Sequence, residues 1–310
     1  MKHLRIATPD LVTNSYFPAL AAEELGFYKA EGVDAHVELL GPQPKAMAAL
    51  RDGDVDAVAA PAHATLFTFP QYRGAKQVVA LSQGTPWLLV LRTDIPAKRG
   101  DLQAVKGLRI GAAPGPDSAL LWLLIEAGID VRRDNVRIGP IARANAPGSS
   151  FGVLAAKALE AREIDGFWAN ALGSELAVQR GIGKIVVDVR RGDGPQAAKN
   201  LTFASLATTE EVIARDPNLV AATVRAIVNT QRALKADPTL ATEVGRRRFP
   251  PDATNVISSI VERDLPFYDP AIYEEAVFSM NRFAQSLGLL TKPVTYDQVV
   301  GIRFRDLWRI

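Results

Sequence analysis

The sequence predicts an α/β protein built from two lobes, and three features indicate this. Short β-type runs alternate with amphipathic helices over the first two-thirds of the chain, a pattern typical of mostly parallel sheets covered by helices. The same alternation restarts after the polar segment Thr93 to Lys106, which Pro96 and Gly100 interrupt. The last third shows helical periodicity alone. We therefore expect two small sheets, with the C-terminal helices packed behind the first lobe.

Each predicted strand is a short apolar run that ends in polar, glycine or proline residues. The expected strands are Leu4 to Thr8, Ala35 to Leu40, Val55 to Ala60, Gln77 to Ser82, Trp87 to Arg92, Leu108 to Ala112, Val136 to Ile141, Ile164 to Trp168, Lys184 to Val189 and Leu201 to Ala207. Helices are expected between most of them, and Gly26 and Gly128 are expected to end two of these helices. In the last third, Asp216-Pro217 and Asp269-Pro270 each pair an N-cap residue with a first-turn proline, so each predicts a helix start.

Composition excludes several classes of protein. The 310 residues include 36 basic and 34 acidic side chains, a net charge of +2 with both signs spread along the chain, so no nucleic-acid partner is expected. Cysteine is absent, which excludes disulfides, thiolate metal sites, iron–sulfur clusters and a cysteine nucleophile. With only three scattered histidines, no metal site and no other cofactor is expected. No apolar run approaches the ~20 residues that a transmembrane helix needs.

The first residues do not resemble a secretory signal. Residues 1–5 (MKHLR) lead directly into a predicted strand, without the apolar segment and the small-residue cleavage site of a signal peptide. Two expectations stay open: a periplasmic protein whose leader has been removed, or a cytoplasmic protein.

The loops that follow the strands are the candidate ligand-binding segments, because ligands of open α/β sheets bind beyond the carboxyl ends of the strands. After the first strand, Asn14, Ser15 and Tyr16 combine an amide, a hydroxyl and a phenol at a helix start, where they could hold a polar ligand. The alternative is that Ser15 only caps its own helix. Gln43 follows the second strand in the same way.

The third and fourth strands end in further candidates. Ala62 and His63 follow the third strand, and histidine is the side chain whose charge changes near neutral pH. A lone histidine is more often a hydrogen-bonded structural residue, so both interpretations of His63 stay open. Gln83 and Gly84 end the fourth strand, where the glutamine could bind a ligand or the pair could simply form a turn.

In the second lobe, Gly115 and Ser118 belong to a glycine- and proline-rich loop that opens a helix. The free N–H groups of such a helix start could hold a carboxylate, a sulfonate or a phosphate. Alternatively, Asp117 uses those donors itself as an N-cap. The segment has neither a P-loop lysine nor the G-x-G-x-x-G spacing, so nucleotide binding is not expected.

Two later strands of the second lobe end in the remaining candidates. Arg143 lies in the loop after the second strand of this lobe, either as a partner for an anionic ligand or as a solvated cation. Trp168 and Asn170 end the following strand, where the indole could form a flat wall for a ligand or pack in the core.

Four segments resemble the nitrate-, sulfonate- and taurine-type solute-binding proteins of ABC transporters and their pyrimidine-precursor relatives. Asn14 to Val33 (NSYFPALAAEELGFYKAEGV) resembles the opening of these proteins. Ala49 to Ala57 (ALRDGDVDA) and Leu102 to Gly111 (LQAVKGLRIG) resemble two internal segments, and Gly288 to Val294 (GLLTKPV) resembles the end of the terminal helix. The likeness spans nearly the whole chain and is more specific for the fold than for the ligand.

The resemblance implies the two-lobed type II periplasmic-binding-protein fold, an α/β fold with a ligand cleft between the lobes and a helical C-terminal third. Residues 1–94 plus 200–310 would form lobe 1, and residues 95–199 would form lobe 2. Such a protein captures a small organic solute, here an organic anion or an aromatic compound, by hinge closure. It delivers the solute to an ABC permease and is expected to be a monomer.

The same superfamily contains enzymes, so a cytosolic enzyme of the decarboxylase or lyase type, with His63 as its acid/base group, is the alternative. Two of the enzyme activities known in the superfamily depend on cysteine, and they are excluded because the chain has none. No spacing indicates a second titratable partner for His63. We therefore expect a binding protein and assign no catalytic residue.

Overall fold

The structure is a computed structural model, and it describes residues 1–142, 150–249 and 251–309. The chain forms two compact units. The first unit comprises Met1–Gln83 and Thr202–Ile310, and the second comprises Gly84–Leu201.

Strands alternate with helices up to Thr209, and the chain beyond that point is mainly helical, as predicted. The strands are β1 (Lys2–Thr8), β2 (Val33–Leu39), β3 (Ala57–Pro61), β4 (Ala75–Ser82), β5 (Leu88–Arg92), β6 (Arg109–Ala112), β7 (Arg137–Gly139), β8 (Gly166–Ala169), β9 (Gly183–Asp188) and β10 (Ala204–Thr209). The helices are α1 (Phe17–Glu24), α2 (Phe27–Ala30), α3 (Gln43–Asp52), α4 (Pro116–Glu126), α5 (Phe151–Glu160), α6 (Ala171–Gln179), α7 (Glu210–Arg215), α8 (Pro217–Ala236), α9 (Leu240–Arg248), α10 (Pro251–Asp264), α11 (Glu274–Ser286) and α12 (Tyr296–Val299). Over the described residues, no helix combines the length and the apolar character that crossing a bilayer requires.

The sheet of the first unit has the strand order β2-β1-β3-β10-β4. β1 pairs in parallel with β2 and β3, whereas β10 runs antiparallel to both of its neighbours, β3 and β4. As a consequence β1, β2, β3 and β4 all point in one direction, and their carboxyl ends lie along the same edge of the sheet. This edge carries the loops that contain Asn14, Gln43, His63 and Gln83.

The sheet of the second unit repeats this arrangement, with the order β7-β6-β8-β5-β9. β6 pairs in parallel with β7 and β8, and β5 runs antiparallel to β8 and β9. The sequence assigns β5 to the first lobe, with a boundary after residue 94. Its pairing with β8 and β9 places it in the second sheet instead, and the second unit begins at Gly84.

The predicted start of α8 is confirmed. The Asp216 carboxylate accepts a hydrogen bond from the backbone N–H of Leu219 (3.0 Å), and Pro217 is the first helical residue. An N-cap of this kind stabilises a helix by about 1 kcal/mol. The apolar stripe predicted for this helix is buried and consists of Val220, Val224, Ile227, Val228 and Leu234.

The second predicted Asp-Pro helix start is wrong. Asp269 and Pro270 lie before α11, which begins at Glu274. The segment is held against β4 instead, because the Pro270 carbonyl accepts a hydrogen bond from Ala80 N (2.9 Å) and the Asp269 carbonyl accepts one from Gln83 Nε2 (2.8 Å). The helix therefore starts only after this pairing ends.

The basic run Arg246-Arg247-Arg248 ends α9 and joins it to the rest of the first unit. Arg247 donates to the backbone carbonyl of Glu24 (2.6 Å), and Arg248 donates to the carboxylate of Glu24 (2.9 Å) and to the carbonyl of Val37 (2.7 Å). Two of the three arginines thus have a structural role that the sequence alone does not reveal.

Candidate functional site

The loop after β1 holds Asn14 in a fully buried position in the first unit. Asn14 Nδ2 donates a hydrogen bond to the carboxylate of Asp264 at the end of α10, and the Tyr268 hydroxyl donates to the backbone carbonyl of Asn14 (2.6 Å). The first contact fixes the orientation of the Asn14 amide, because the amide nitrogen is its only donor atom and is the atom that lies against the carboxylate. The other amide atom, Oδ1, is buried and has no hydrogen-bond partner among the described residues.

Ser15 does not cap α1. The N-cap residue of this helix is Tyr16, and the Tyr16 side chain accepts no capping hydrogen bond. Ser15 is fully buried, and its Oγ has no hydrogen-bond partner within the described part of the chain. The alternative in which Ser15 only caps its own helix is therefore wrong.

The side chain of Gln43, after β2, lies close enough to the Tyr16 phenol, after β1, to influence its pKa. Gln43 is the first residue of α3 and is buried, and its Oε1 is without a hydrogen-bond partner in the ranges described. Burial raises the pKa of Tyr16 well above its ordinary value, the negative charge of Asp10 raises the pKa further, and the nearby Gln43 side chain lowers it. Tyr16 is therefore a neutral phenol at physiological pH.

We call Asn14, Ser15, Tyr16 and Gln43 the strand-end cluster. It contains three buried side-chain oxygens with no hydrogen-bond partner among the residues that the structure describes: Asn14 Oδ1, Ser15 Oγ and Gln43 Oε1. In folded proteins nearly all buried polar atoms are paired, and leaving one unpaired costs about 1–3 kcal/mol. Three such atoms on the loops after the neighbouring strands β1 and β2 make the cluster a candidate for ligand binding.

His63 packs within the first unit. Its Nδ1 lies 2.9 Å from the Thr202 Oγ1, and its ring meets the rings of Phe67 and Phe283 edge to face at centroid distances of 5.9 and 5.1 Å. Ala62, which precedes it, is also buried. These contacts are those expected of a structural histidine.

Gln83 and Gly84 lie where the chain leaves the first unit and enters the second. Gln83 Nε2 donates to the backbone carbonyls of Asp269 (2.8 Å) and Ala271 (2.7 Å), so its amide nitrogen is used within the first unit. Gly84 has a φ of +70°, and a Cβ at this position would lie 2.8 Å from Arg190 Cγ. Glycine is therefore required here by both backbone conformation and space.

In the second unit, Asp117 occupies the backbone donors at the start of α4. Its Oδ1 accepts hydrogen bonds from Gly115 N (2.9 Å) and Ser118 N (2.8 Å). The Ser118 hydroxyl donates to the Gly115 carbonyl (2.6 Å). Two N–H groups that an anion would need are thus already bound by a carboxylate of the chain itself.

Trp168 lies in β8 and is fully buried. Its ring centroid is 6.1 Å from that of Trp87, and its Nε1 has no hydrogen-bond partner in the described ranges. Asn170 is the N-cap of α6, with Oδ1 accepting from Gly173 N (3.0 Å). Arg143 lies outside the described residues.

Three residues that anchor predicted site residues were missed by sequence reasoning: Thr202, Asp264 and Tyr268. Asp264 and Tyr268 contact Asn14 from 250 and 254 positions further along the chain. Local patterns carry no signal for such pairings, because they arise only when the C-terminal helices pack against the first sheet.

The chemistry of the strand-end cluster is that of binding. Amide, hydroxyl and phenol groups recognise a ligand by hydrogen bonds and are neutral at physiological pH. Over the residues that the structure describes, no three histidine or acidic side chains are grouped so that they could hold a metal ion.

Comparison with known proteins identifies the family. A family model described as NMT1/THI5 like matches residues 13–241, which is most of the chain. The protein belongs to the NMT1/THI5-like family. The matched range of this NMT1/THI5-like protein includes the strand-end cluster and the whole second unit. A comparison with curated proteins gives no match.

Solved structures show the fold of this NMT1/THI5-like protein. A protein from Bordetella bronchiseptica RB50 is 19% identical with a TM-score of 0.75, over 96% of this chain and 92% of that chain. The periplasmic nitrate-binding protein NrtA from Synechocystis PCC 6803 is 12% identical with a TM-score of 0.74, over 100% and 88% of the two chains. The alkanesulfonate-binding protein SsuA from Xanthomonas axonopodis pv. citri, bound to MOPS, is 15% identical with a TM-score of 0.70, over 96% and 98%. The predicted α/β fold of periplasmic binding proteins is thereby confirmed.

Proposed function

We propose that the protein is the solute-binding component of an ABC import system and that it captures a small organic molecule. Family membership supports this proposal, as does the fold shared with proteins named as nitrate- and alkanesulfonate-binding. Fold alone does not define function, so the proposal depends on the site.

The observation that carries the proposal is the strand-end cluster. Its three oxygens without a partner among the described residues lie beyond the carboxyl ends of β1 and β2, where α/β sheets bind ligands. Their combined desolvation is unfavourable in the free protein, at about 1–3 kcal/mol for each atom. A ligand that donates hydrogen bonds to them recovers this free energy, so the free protein is prepared for binding at the expense of its own stability.

We propose that the solute is captured by closure of the two units. A ligand that contacts both units binds the closed state more tightly and shifts the population toward it. The chain connections at Gln83–Gly84 and Leu201–Thr202 would absorb the rotation, and the two units would be the lobes. On this proposal the second unit contributes Trp168, whose indole N–H is unpaired among the described residues.

The partner and the place of action follow from the same proposal. A carrier of this kind would deliver its solute to an ABC permease, act as a monomer, bind no nucleic acid and work outside the cytoplasmic membrane. Sedimentation of the purified protein tests the monomer, and fractionation of the native host tests the location.

The proposed function is tested by binding and compaction measured together. A library of small organic compounds is screened by thermal shift, and hits are titrated by calorimetry and by small-angle scattering. We expect hits to raise the melting temperature and to decrease the radius of gyration, without any chemical change in the compound.

A variant and a matched control locate the binding. Gln43→Leu removes Oε1, which has no hydrogen-bond partner among the described residues, and we expect it to weaken binding about tenfold or more. Gln103→Leu makes the same change at an exposed position and should leave binding unaltered. Equal affinity in Gln43→Leu and the wild type, or turnover of the bound compound, would contradict the proposal.

A further inference from the structure

We propose that the end of the solute held by the first unit carries N–H hydrogen-bond donors and no negative charge. An amide, an amidine, an amine or an N–H heterocycle fits this description, whereas nitrate, carboxylates and sulfonates do not. The inference rests on the proposed function and narrows its substrate class.

The orientation of the Asn14 amide leaves a hydrogen-bond acceptor for the ligand. Asn14 Nδ2 donates to the Asp264 carboxylate, so the amide cannot turn its nitrogen toward a ligand without losing that bond. The group left for the ligand is Oδ1, which is a pure acceptor. The lone pairs of Oδ1 would repel an anion, whereas an N–H group would donate a hydrogen bond to this oxygen.

Gln43 provides a second hydrogen-bond acceptor. Its carbonyl oxygen, Oε1, is buried and without a partner in the described chain. Gln43 begins α3 directly after the loop that follows β2. Two acceptor oxygens, Asn14 Oδ1 and Gln43 Oε1, therefore belong to one cluster.

The charges around the cluster point the same way. Asp264 is fully buried and contacts Asn14, and the charge of Asp10 is close enough to raise the pKa of Tyr16. Arg263 Nε lies 3.8 Å from Asp264 Oδ1. The Asp264 carboxylate in contact with Asn14 disfavours an anionic group at that amide and favours a cationic or neutral donor.

The start of α4, which the sequence suggests as an anion site, does not favour an anionic ligand either. Asp117 already binds Gly115 N and Ser118 N at the beginning of α4. An anionic ligand would have to displace a carboxylate of the chain and then lie beside it. The start of α4 therefore adds no reason to expect an anion.

Sets of compounds with one carbon skeleton and different head groups test the inference. The first set is benzamide, benzamidine, benzoate and benzenesulfonate, and the second is butyramide, butylamine, butyrate and butanesulfonate, with sodium nitrate as a further anion. Binding is measured at pH 7 by ligand-observed NMR, which detects millimolar affinities, and by thermal shift. In each set we expect the amide and the cationic member to bind about tenfold or more tightly than either anion.

Variants at one position separate the outcomes. Gln43→Leu should abolish the preference for the amide and the cationic compound over the anions. Gln43→Glu should favour the cationic compound over the amide, and Gln103→Glu should leave all relative affinities unchanged. If an anion binds at least as tightly as its donor counterpart and Gln43→Leu weakens it, the solute-binding function stands and the donor class is overturned. If no member of any set binds in a way that Gln43→Leu weakens, the inference and the assignment of the cluster both fail.

Discussion

Replacing Ser15 with alanine tests whether the strand-end cluster is a binding site or a part of the core. Ser15 Oγ is fully buried and has no hydrogen-bond partner among the described residues. A hydroxyl in that position loses its hydration without compensation, which costs about 1–3 kcal/mol. Alanine keeps the Cβ and removes only the oxygen, so part of the gain is offset by lost packing contacts. We expect the free energy of unfolding to increase by about 1 kcal/mol, and the melting temperature by about 2–4 °C for a domain of this size.

The assay is denaturant unfolding of the ligand-free protein, followed by calorimetric titration of a compound that binds the wild type. Ser15→Ala should be more stable and should bind about tenfold more weakly, because the hydroxyl is expected to pair only with the ligand. Ser286→Ala is the control, since Ser286 is exposed and its Oγ donates to the Phe283 carbonyl (2.8 Å). This control should gain no stability. A loss of more than about 1 kcal/mol in Ser15→Ala, with an unchanged m-value, would show that the hydroxyl is bonded in the free protein and would refute the reasoning.

Three further predictions concern stability. Gly84→Ala should lower the free energy of unfolding by about 1–3 kcal/mol, and by more than Gly181→Ala does. Both glycines have a φ near +70°, but only at Gly84 would the new Cβ lie 2.8 Å from a side chain, that of Arg190. Equal losses in the two variants would contradict this, because they would mean that the Arg190 side chain moves away without cost. Asp165→Asn should cost about 1–3 kcal/mol at pH 7, because hydrogen bonds from two arginines hold the pKa of this carboxyl below its ordinary value. The pKa of Asp165 is lower in the folded than in the unfolded protein, so its stabilisation of the wild type is complete above the ordinary carboxyl pKa and decreases as the pH falls below about 4. Denaturation between pH 2 and 7 would show this decrease in the wild type. Asp165→Asn should not show it. His63→Ala should cost about 2–4 kcal/mol by leaving a cavity between aromatic rings, as thermal unfolding would reveal; a fully stable variant that lost only a catalytic turnover would favour an enzyme.

The sequence was sufficient to predict the alternation of strands and helices, because hydrophobic periodicity and glycine or proline boundaries are local signals. It also placed Asn14, Ser15 and Gln43 after the strands β1 and β2, since the strand-end rule needs only the order of elements. That these residues bind a ligand stays a prediction. In the structure, these residues are candidates because three of their buried oxygens have no partners in the described chain. That property depends on packing, which no local sequence pattern encodes.

The failures have a common physical cause, which is pairing over long distances in the chain. β5 reads as a fifth strand of the first lobe, but its partners are β8 and β9. Asp269-Pro270 has the composition of a helix start, yet its carbonyls pair with the end of β4. In both cases long-range hydrogen bonds within the fold, rather than local preference, decided the outcome.

A crystal structure of the protein with a captured solute is the most direct test of the central claim. The account predicts electron density for the solute within hydrogen-bond distance of Asn14 Oδ1, Ser15 Oγ and Gln43 Oε1, with donor atoms facing the two amide oxygens. Solute density elsewhere, with these three oxygens still unpaired or bonded only to the chain itself, would contradict it.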